Sequence, residues 1–205
     1  MKSLLLQLGV VSFLVTAASA GTVNYNTTGS TLFCNGIGGC VQNTTTQVTI
    51  GGLTLTYNTG SGSNVLTPSI INLGNIVSTG TGTSVDLTGL LLTLNVNSTP
   101  PGGSGALPNG AVSGFMSTNN SGTVITFSPN NTTTGFGTLP GVMIGNFAYQ
   151  VLNTSLVLLA PTVGNPIGQT SIQGAVTDSA VPEPGTVVLM SAGLGLVAFM
   201  RRRSA

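Results

Sequence analysis

The segment QVTIGGLTLTY, residues 47–57, constrains the fold more than any other part of this 205-residue chain. Apolar residues alternate with polar residues on both sides of the pair Gly51-Gly52. Alternation with a period of two is typical of a half-buried strand, and a Gly-Gly pair commonly joins two strands in a two-residue turn. The segment therefore predicts a β-hairpin with one buried face.

Short segments of the same kind, rich in Thr, Val, Ile and Leu, recur between residues 23 and 176. None has the 3.6-residue amphipathic spacing of a helix over a helical length. Many short strands separated by turn residues predict an all-β domain, specifically an antiparallel β-sandwich of jelly-roll-like or Ig-like type. The other predicted strands are 23–28, 40–45, 70–77, 111–117, 123–128, 142–151, 156–160 and 171–176.

Two places in this body break the regular pattern. In SVDLTGLLLTLNVN, residues 84–97, the alternation changes side at Gly89, where a β-bulge would reconcile the two halves. PPGGSG, residues 100–105, is the strongest interruption, but the strand patterns before and after it are alike. We expect a long loop there, inside one extracellular domain of residues 21–180 that is long enough for a single core.

The first 20 residues have the three-part layout of a secretory signal peptide. Lys2 is followed by an apolar run from residue 4 to residue 15, and the small residues Ala18 and Ala20 form an A-x-A cleavage site. A buried N-terminal helix would not account for all three features. We expect an N-terminal signal-peptide helix that signal peptidase removes, so that the mature chain begins at Gly21.

Charge is almost absent from residues 21–180, where Asp86 and Asp178 are the two charged side chains. Without Lys or Arg, this body has no basic patch for nucleic-acid phosphates. The usual hydrolase nucleophile needs a His or Lys base, and the body has neither. A secreted hydrolase would have to use Asp86 with Asp178 as a glycosidase pair, but a polar strand position for Asp86 and a spacer segment for Asp178 explain the two carboxylates better.

The body is therefore expected to be non-catalytic, without a catalytic residue, a cofactor or a metal site. Calcium bound by Asp86 with Asn side chains and backbone carbonyls is an alternative, but no Asp-rich loop of the tightly binding kind is present.

The chain has two cysteines, Cys34 and Cys40, in the segment FCNGIGGC. In an oxidising compartment a disulfide is expected, because the intervening glycines let the short loop fold back on itself. A metal site built on two thiolates is the alternative, but the chain has no His and no third Cys to complete it.

Threonines occur in T-x-T patterns such as Thr54-Leu55-Thr56. A flat array of hydroxyl groups would suit a carbohydrate or ice surface. Thr also occupies the solvent face of exposed strands because its β-branched side chain fits the pleat. Because the Thr pattern is scattered, the sequence favours the solvent-face explanation and keeps the binding array as the alternative.

The segment VPEPGTVVLMSAGLGLVAFMRRRSA, residues 181–205, combines prolines, an apolar run and arginines. Residues 185–200 carry no charge and would extend about 24 Å as a helix, which predicts a C-terminal transmembrane helix. The positive-inside rule places the following arginines in the cytoplasm. The two prolines keep the segment before the helix extended outside the membrane.

This arrangement resembles the PEP-CTERM sorting signal. The box is Val181, Pro182, Glu183 and Pro184, and the basic cluster is Arg201, Arg202 and Arg203. The resemblance implies a bacterial protein that is anchored in the inner membrane, handled by an exosortase-type enzyme at the box, and then found at the cell surface or secreted. A plain membrane anchor would explain the helix and the arginines but not the box.

The sequence thus predicts an exported, non-catalytic protein of the cell surface or of the extracellular biofilm matrix. Its expected partner there is exopolysaccharide. A carbohydrate- or ice-surface-binding module is the alternative, and a secreted hydrolase is the third class.

Overall fold

The computed structural model describes residues 21–80, 83–100, 102–128 and 141–178, together with residue 193. Within the described parts of 21–178 every regular element is a strand, and their pairings are antiparallel. The predicted all-β, antiparallel class is confirmed. The predicted signal-peptide helix lies outside the described residues, and so does the predicted transmembrane helix apart from residue 193. Among the described residues, none belongs to a helix with the length and hydropathy that crossing a membrane requires.

Nineteen strands make up the described body. In chain order they are β1 (Thr22–Asn26), β2 (Thr31–Cys34), β3 (Cys40–Thr44), β4 (Gln47–Ile50), β5 (Leu53–Thr59), β6 (Ser61–Leu66), β7 (Ser69–Gly80), β8 (Val85–Asp86), β9 (Leu90–Thr93), β10 (Asn95–Thr99), β11 (Gly103–Ala106), β12 (Gly110–Ser113), β13 (Phe115–Ser117), β14 (Asn120–Ser121), β15 (Val124–Phe127), β16 (Gly141–Ile144), β17 (Phe147–Val151), β18 (Ser155–Val157) and β19 (Ile167–Asp178).

These strands form four sheets around one hydrophobic core. The sheet orders are β16-β17-β19-β7-β5-β4-β3, β18-β15-β12-β9-β2, β11-β10-β1-β6 and β14-β13-β8. Every sheet contributes to the same buried cluster, as Leu55, Leu92, Val96 and Met116 illustrate. Residues 20–179 accordingly form one compact unit.

The predicted hairpin is β4 and β5. Ile50 pairs with Leu53, which leaves Gly51 and Gly52 as a two-residue turn. Both glycines have positive φ angles, 54° and 83°, as a type I′ turn requires. The buried side of the hairpin is the one that the alternation predicts.

The predicted β-bulge at Gly89 is wrong. Residues 84–97 do not form one bulged strand but three strands, β8, β9 and β10, which belong to three different sheets. Leu90 N donates to Leu87 O at 3.2 Å in the turn that separates β8 from β9. Both leucines are fully buried, so the change of side at Gly89 (φ 107°) moves the chain from one sheet to the next.

The predicted long loop at residues 100–105 is also wrong. Ser98 pairs with Gly103, so β10 and β11 are the arms of a hairpin with a short turn.

The predicted strand 111–117 is interrupted at Gly114, where a Cβ atom would lie 2.3 Å from the Gly122 carbonyl oxygen. The predicted strand 142–151 is likewise a hairpin, because Ile144 pairs with Phe147.

The hydroxyl groups of all three tyrosines join the seven-stranded sheet to the four-stranded sheet or to the turn that follows β1. Tyr25 donates to Asn72 O at 3.0 Å. The Tyr149 and Ser98 hydroxyls are 2.6 Å apart. The Tyr57 hydroxyl lies 2.8 Å from Thr27 Oγ1 and 2.5 Å from Leu73 O. Burial raises the pKa of each tyrosine, so these groups are neutral hydrogen-bonding partners.

The chain passes from the seven-stranded to the four-stranded sheet at Gly60, between β5 and β6. Gly60 N donates to Thr27 Oγ1 at 2.8 Å, and Thr27 N donates to Gly60 O at 2.9 Å. A Cβ atom on Gly60 would lie 2.0 Å from Asn72 O and 2.6 Å from Gly74 N. Both neighbours are backbone atoms that cannot rotate away, so this crossing requires glycine.

We expect Gly60→Ala to lower the free energy of unfolding by about 3 kcal/mol or more, because the added methyl group overpacks against backbone. Chemical denaturation measures the change. Gly38→Ala is the matched control, since a Cβ atom there has no neighbour within 4 Å. Equal stability of the two variants would show that the crossing tolerates a side chain.

Candidate functional site

The solvent-facing side of the seven-stranded sheet presents rows of uncharged polar side chains. We call the exposed or half-exposed part of this side the polar face; it consists of Gln47, Thr49, Thr54, Thr56, Asn58, Asn75, Thr79, Gln169 and Ser171. Thr49 pairs with Thr54, and Thr54 pairs with Thr79. The next rows are Gln47 with Thr56, and Asn58 with Asn75. The predicted placement of the T-x-T residues toward solvent is thus confirmed for Thr54 and Thr56.

Hydrogen bonds between side chains hold part of the polar face in place. Thr49 Oγ1 and Thr54 Oγ1 are 3.0 Å apart, and Gln47 Nε2 donates to Thr56 Oγ1 at 2.9 Å. Neighbouring strands lie about 4.8 Å apart, and alternate residues along a strand are about 6.8 Å apart. The polar face is therefore a two-dimensional array of hydroxyl and amide groups, interrupted by Val77 and Ile167.

The structure does not bring the two carboxylates of the body together. Asp178 ends β19 opposite Phe147, beyond the Ser69 end of β7. Asp86 borders a cleft with Gly51, near the Gly80 end of β7. Eleven residue steps of about 3.3 Å separate the two ends of β7 by roughly 36 Å, so the two carboxylates lie far apart. A glycosidase pair needs a separation of about 5–10 Å.

The carboxylate of Asp86 is held by Thr88. Thr88 N donates to Asp86 Oδ1 at 2.9 Å, and the Thr88 hydroxyl also bonds the carboxylate. These two hydrogen bonds lower the pKa of Asp86, the side-chain bond most, so it is ionised at neutral pH. In the part of the chain that the structure describes, no group of three His, Cys, Asp or Glu side chains could hold a metal ion.

The predicted disulfide between Cys34 and Cys40 is confirmed, with a Cα–Cα distance of 6.1 Å. Cys34 ends β2 of the five-stranded sheet and Cys40 begins β3 of the seven-stranded sheet. The disulfide therefore ties the edges of two sheets together.

Gln42 stabilises the same contact between the edges of the five-stranded and seven-stranded sheets, and the sequence did not predict this role. Its Nε2 donates to Leu32 O at 2.7 Å, and its Oε1 accepts from Cys34 N at 3.1 Å. The side-chain amide thus occupies backbone groups on the free edge of β2, which would otherwise be available to another strand. A register shift after Gln42 accompanies this contact, and the polar segment 42–47 contains no pattern that would have signalled it.

Residues 180–204 match the family model of the PEP-CTERM protein-sorting motif. This segment is a PEP-CTERM sorting motif. The match includes the predicted box, Val181 to Pro184, and the predicted cluster, Arg201 to Arg203. No curated protein and no solved structure is significantly similar to the chain.

A PEP-CTERM motif marks a protein for export and for sorting at the membrane, where an exosortase processes it. The box and the arginines lie outside the described residues, as do the predicted signal-cleavage residues Ala18 and Ala20. Their individual roles therefore stay predictions.

We expect freshly exported protein to show no thiol that reacts with an alkylating agent until it is reduced, after which two react. We also expect Cys34→Ala/Cys40→Ala to lower the free energy of unfolding by roughly 2 kcal/mol, because the disulfide closes only a small loop. Mass spectrometry after alkylation and denaturant titration are the measurements. Two reactive thiols before reduction would contradict the bond.

Proposed function

We propose that the protein is an exported, non-catalytic component of the bacterial surface or extracellular matrix, associated with exopolysaccharide. The observation that carries this proposal is the combination of a PEP-CTERM motif with a body that bears two charges. These two carboxylates lie far apart, and the body has no cation.

The chemistry of the body suits a neutral, hydrated polymer. Hydroxyl and amide groups exchange hydrogen bonds with sugar hydroxyls, whereas an uncharged surface gains little from polyanions. Because such contacts do not depend on ion pairs, salt outside the cell screens little of the interaction. The disulfide suits an oxidising environment.

We further infer that the four-stranded and seven-stranded sheets are layers of a β-sandwich, since tyrosine hydroxyls bridge them over buried side chains. The expected maturation begins with signal peptidase, which cleaves after Ala20. Residues 185–200 then anchor the chain in the inner membrane with the arginines in the cytoplasm. The exosortase reads the box outside the membrane, and the processed body joins the matrix.

We expect Glu183→Gln to leave membrane insertion intact and to block maturation. An anchor needs only an apolar helix and the arginines, whereas a processing enzyme has to read the extended box in which two prolines present Glu183. The measurement is the mass of cell-associated and released protein from a host that carries the matching exosortase.

Asp178→Asn is the matched control, because it removes a carboxylate from the body and leaves the box unchanged. It should mature like wild type. If wild type and Glu183→Gln both keep Arg201 to Arg203 and both fractionate with membranes, the motif acts as a plain anchor and the proposed function is wrong.

The polar face favours a second candidate function, a module that binds a carbohydrate or ice surface. Its in-register rows and its lack of charge are the supporting observations. Thr54→Lys should then reduce retention on insoluble polysaccharide or inhibition of ice recrystallisation at least about tenfold, whereas Ser63→Lys on exposed β6 should not. Equal behaviour of the two variants would exclude the polar face as the binding surface.

A further inference from the structure

An exposed aromatic ring lies beside the Asp86 carboxylate. Phe115 in β13 pairs directly with Asp86 in β8, and the next pair, Met116 with Val85, is buried. Residues that pair directly across an antiparallel ladder project from the same face with Cβ atoms about 5 Å apart. The carboxylate and the ring therefore share the solvent side of the three-stranded sheet.

The ring of Phe115 is left uncovered by its neighbours. It is 58% exposed. On the side away from Asp86, Gly122 N donates to Phe115 O at 2.9 Å, and this glycine has no side chain to cover the ring. The residue before Phe115 is Gly114, whose φ of 102° is available to few other residues. An exposed aromatic ring between two glycines and a carboxylate offers a flat apolar surface next to a strong hydrogen-bond acceptor.

Asp86 also borders a cleft of about 540 Å³. The cleft lies between the segment 83–88, the disulfide loop and the Gly51 turn. The residues that line it include polar Thr83, Ser84 and Thr88 and apolar Ile37 and Ile50. A concave site with apolar walls and a few polar groups is the usual form of a small-molecule site.

The geometry of Asp86 is fixed before any ligand binds. The Thr88 hydroxyl bonds the carboxylate and accepts a hydrogen bond from Gly114 N at 3.1 Å, so it links Asp86 to the residue that precedes Phe115. Each carboxylate oxygen has two acceptor positions, so the exposed Asp86 carboxylate can accept further hydrogen bonds beside those from Thr88. Preorganisation of this kind lowers the entropy that binding would otherwise lose.

We propose that Asp86, Phe115 and the adjoining cleft bind a neutral sugar unit of an extracellular polysaccharide, an inference that rests on the proposed exopolysaccharide association. A pyranose has a face of C–H bonds that can lie on the Phe115 ring and a rim of hydroxyl groups that can donate to Asp86. A charge-assisted hydrogen bond from a hydroxyl to a carboxylate is stronger than a bond between neutral groups. Thr83 and Ser84 supply further donors and acceptors.

The charges of the body argue against other ligands. An anionic sugar would meet the Asp86 carboxylate, and residues 21–180 contain no cation to offset the repulsion. A metal ion would find one carboxylate, because the described residues contain no cluster of further ligating side chains. A neutral ligand that donates hydrogen bonds is the class that fits.

The test is calorimetric titration of the exported protein with three neutral probes, cellohexaose, maltohexaose and mannohexaose, and with hexagalacturonate as the anionic probe. We expect at least one neutral probe to bind and the anionic probe not to bind. Asp86→Asn should weaken binding about tenfold or more, the effect of one charge-assisted hydrogen bond. Phe115→Ala should weaken it similarly, and Phe115→Tyr, which keeps the ring, should restore it.

Phe33→Ala and Asp178→Asn are the matched controls. Phe33 is 53% exposed on the five-stranded sheet, and Asp178 lies at the far end of β7. Both should bind within twofold of wild type. The site is wrong if no neutral probe binds, if Asp86→Asn and Phe115→Ala bind like wild type, or if the controls lose as much affinity as they do.

The two proposals can fail separately. If the protein is sorted and associates with host exopolysaccharide while Asp86→Asn and Phe115→Ala do so equally well, the sugar site fails and the proposed function stands. If wild type and Glu183→Gln both keep Arg201 to Arg203 and both fractionate with membranes, the proposed function fails whatever the cleft binds.

Discussion

The structure depends on hydroxyl hydrogen bonds in the buried interface between the four-stranded and seven-stranded sheets. Every tyrosine of the chain takes part: Tyr25 with Asn72, Tyr57 with Thr27 in the turn after β1, and Tyr149 with Ser98. A buried hydroxyl without a partner is destabilising, so each of these bonds favours one relative position of the two sheets. Hydrophobic burial supplies much of the driving force for folding, but it is non-directional. These hydrogen bonds fix how the two sheets are oriented relative to each other.

This interface explains how a body with two charges has a specific fold. Its strands need no ion pairs, because neutral hydroxyl groups fix the sheets from inside and a disulfide with the Gln42 amide fixes their edges. Charged side chains on the surface are therefore not required to stabilise the fold. We propose that the polar face and the neighbourhood of Asp86 interact with neutral polymers, and the PEP-CTERM motif supports this proposal because it marks a protein for export.

Local signals in the sequence predicted local structure well. The Gly51-Gly52 turn, the solvent side of Thr54 and the disulfide all follow from residues close together in the chain. The prediction for residues 84–97 was wrong because the alternation of apolar and polar residues shows which side of a strand is buried but not which sheet the strand joins. Leu92 and Val96 alternate without interruption, yet they belong to different sheets. The pairing of Asp86 with Phe115 depends on the register between segments that are distant in the sequence, so no local sequence pattern predicted it.

We expect the crossing at Gly60, with its bonds to Thr27, to open only when the whole body unfolds. Native-state hydrogen exchange tests this claim directly, because Gly60 N and Thr27 N are both donors in the junction. The account predicts that both amides exchange with the same free energy as the core amide of Leu55, and that this value equals the free energy of global unfolding. Exchange of Gly60 and Thr27 as fast as that of the loop residue Gly36 would contradict it.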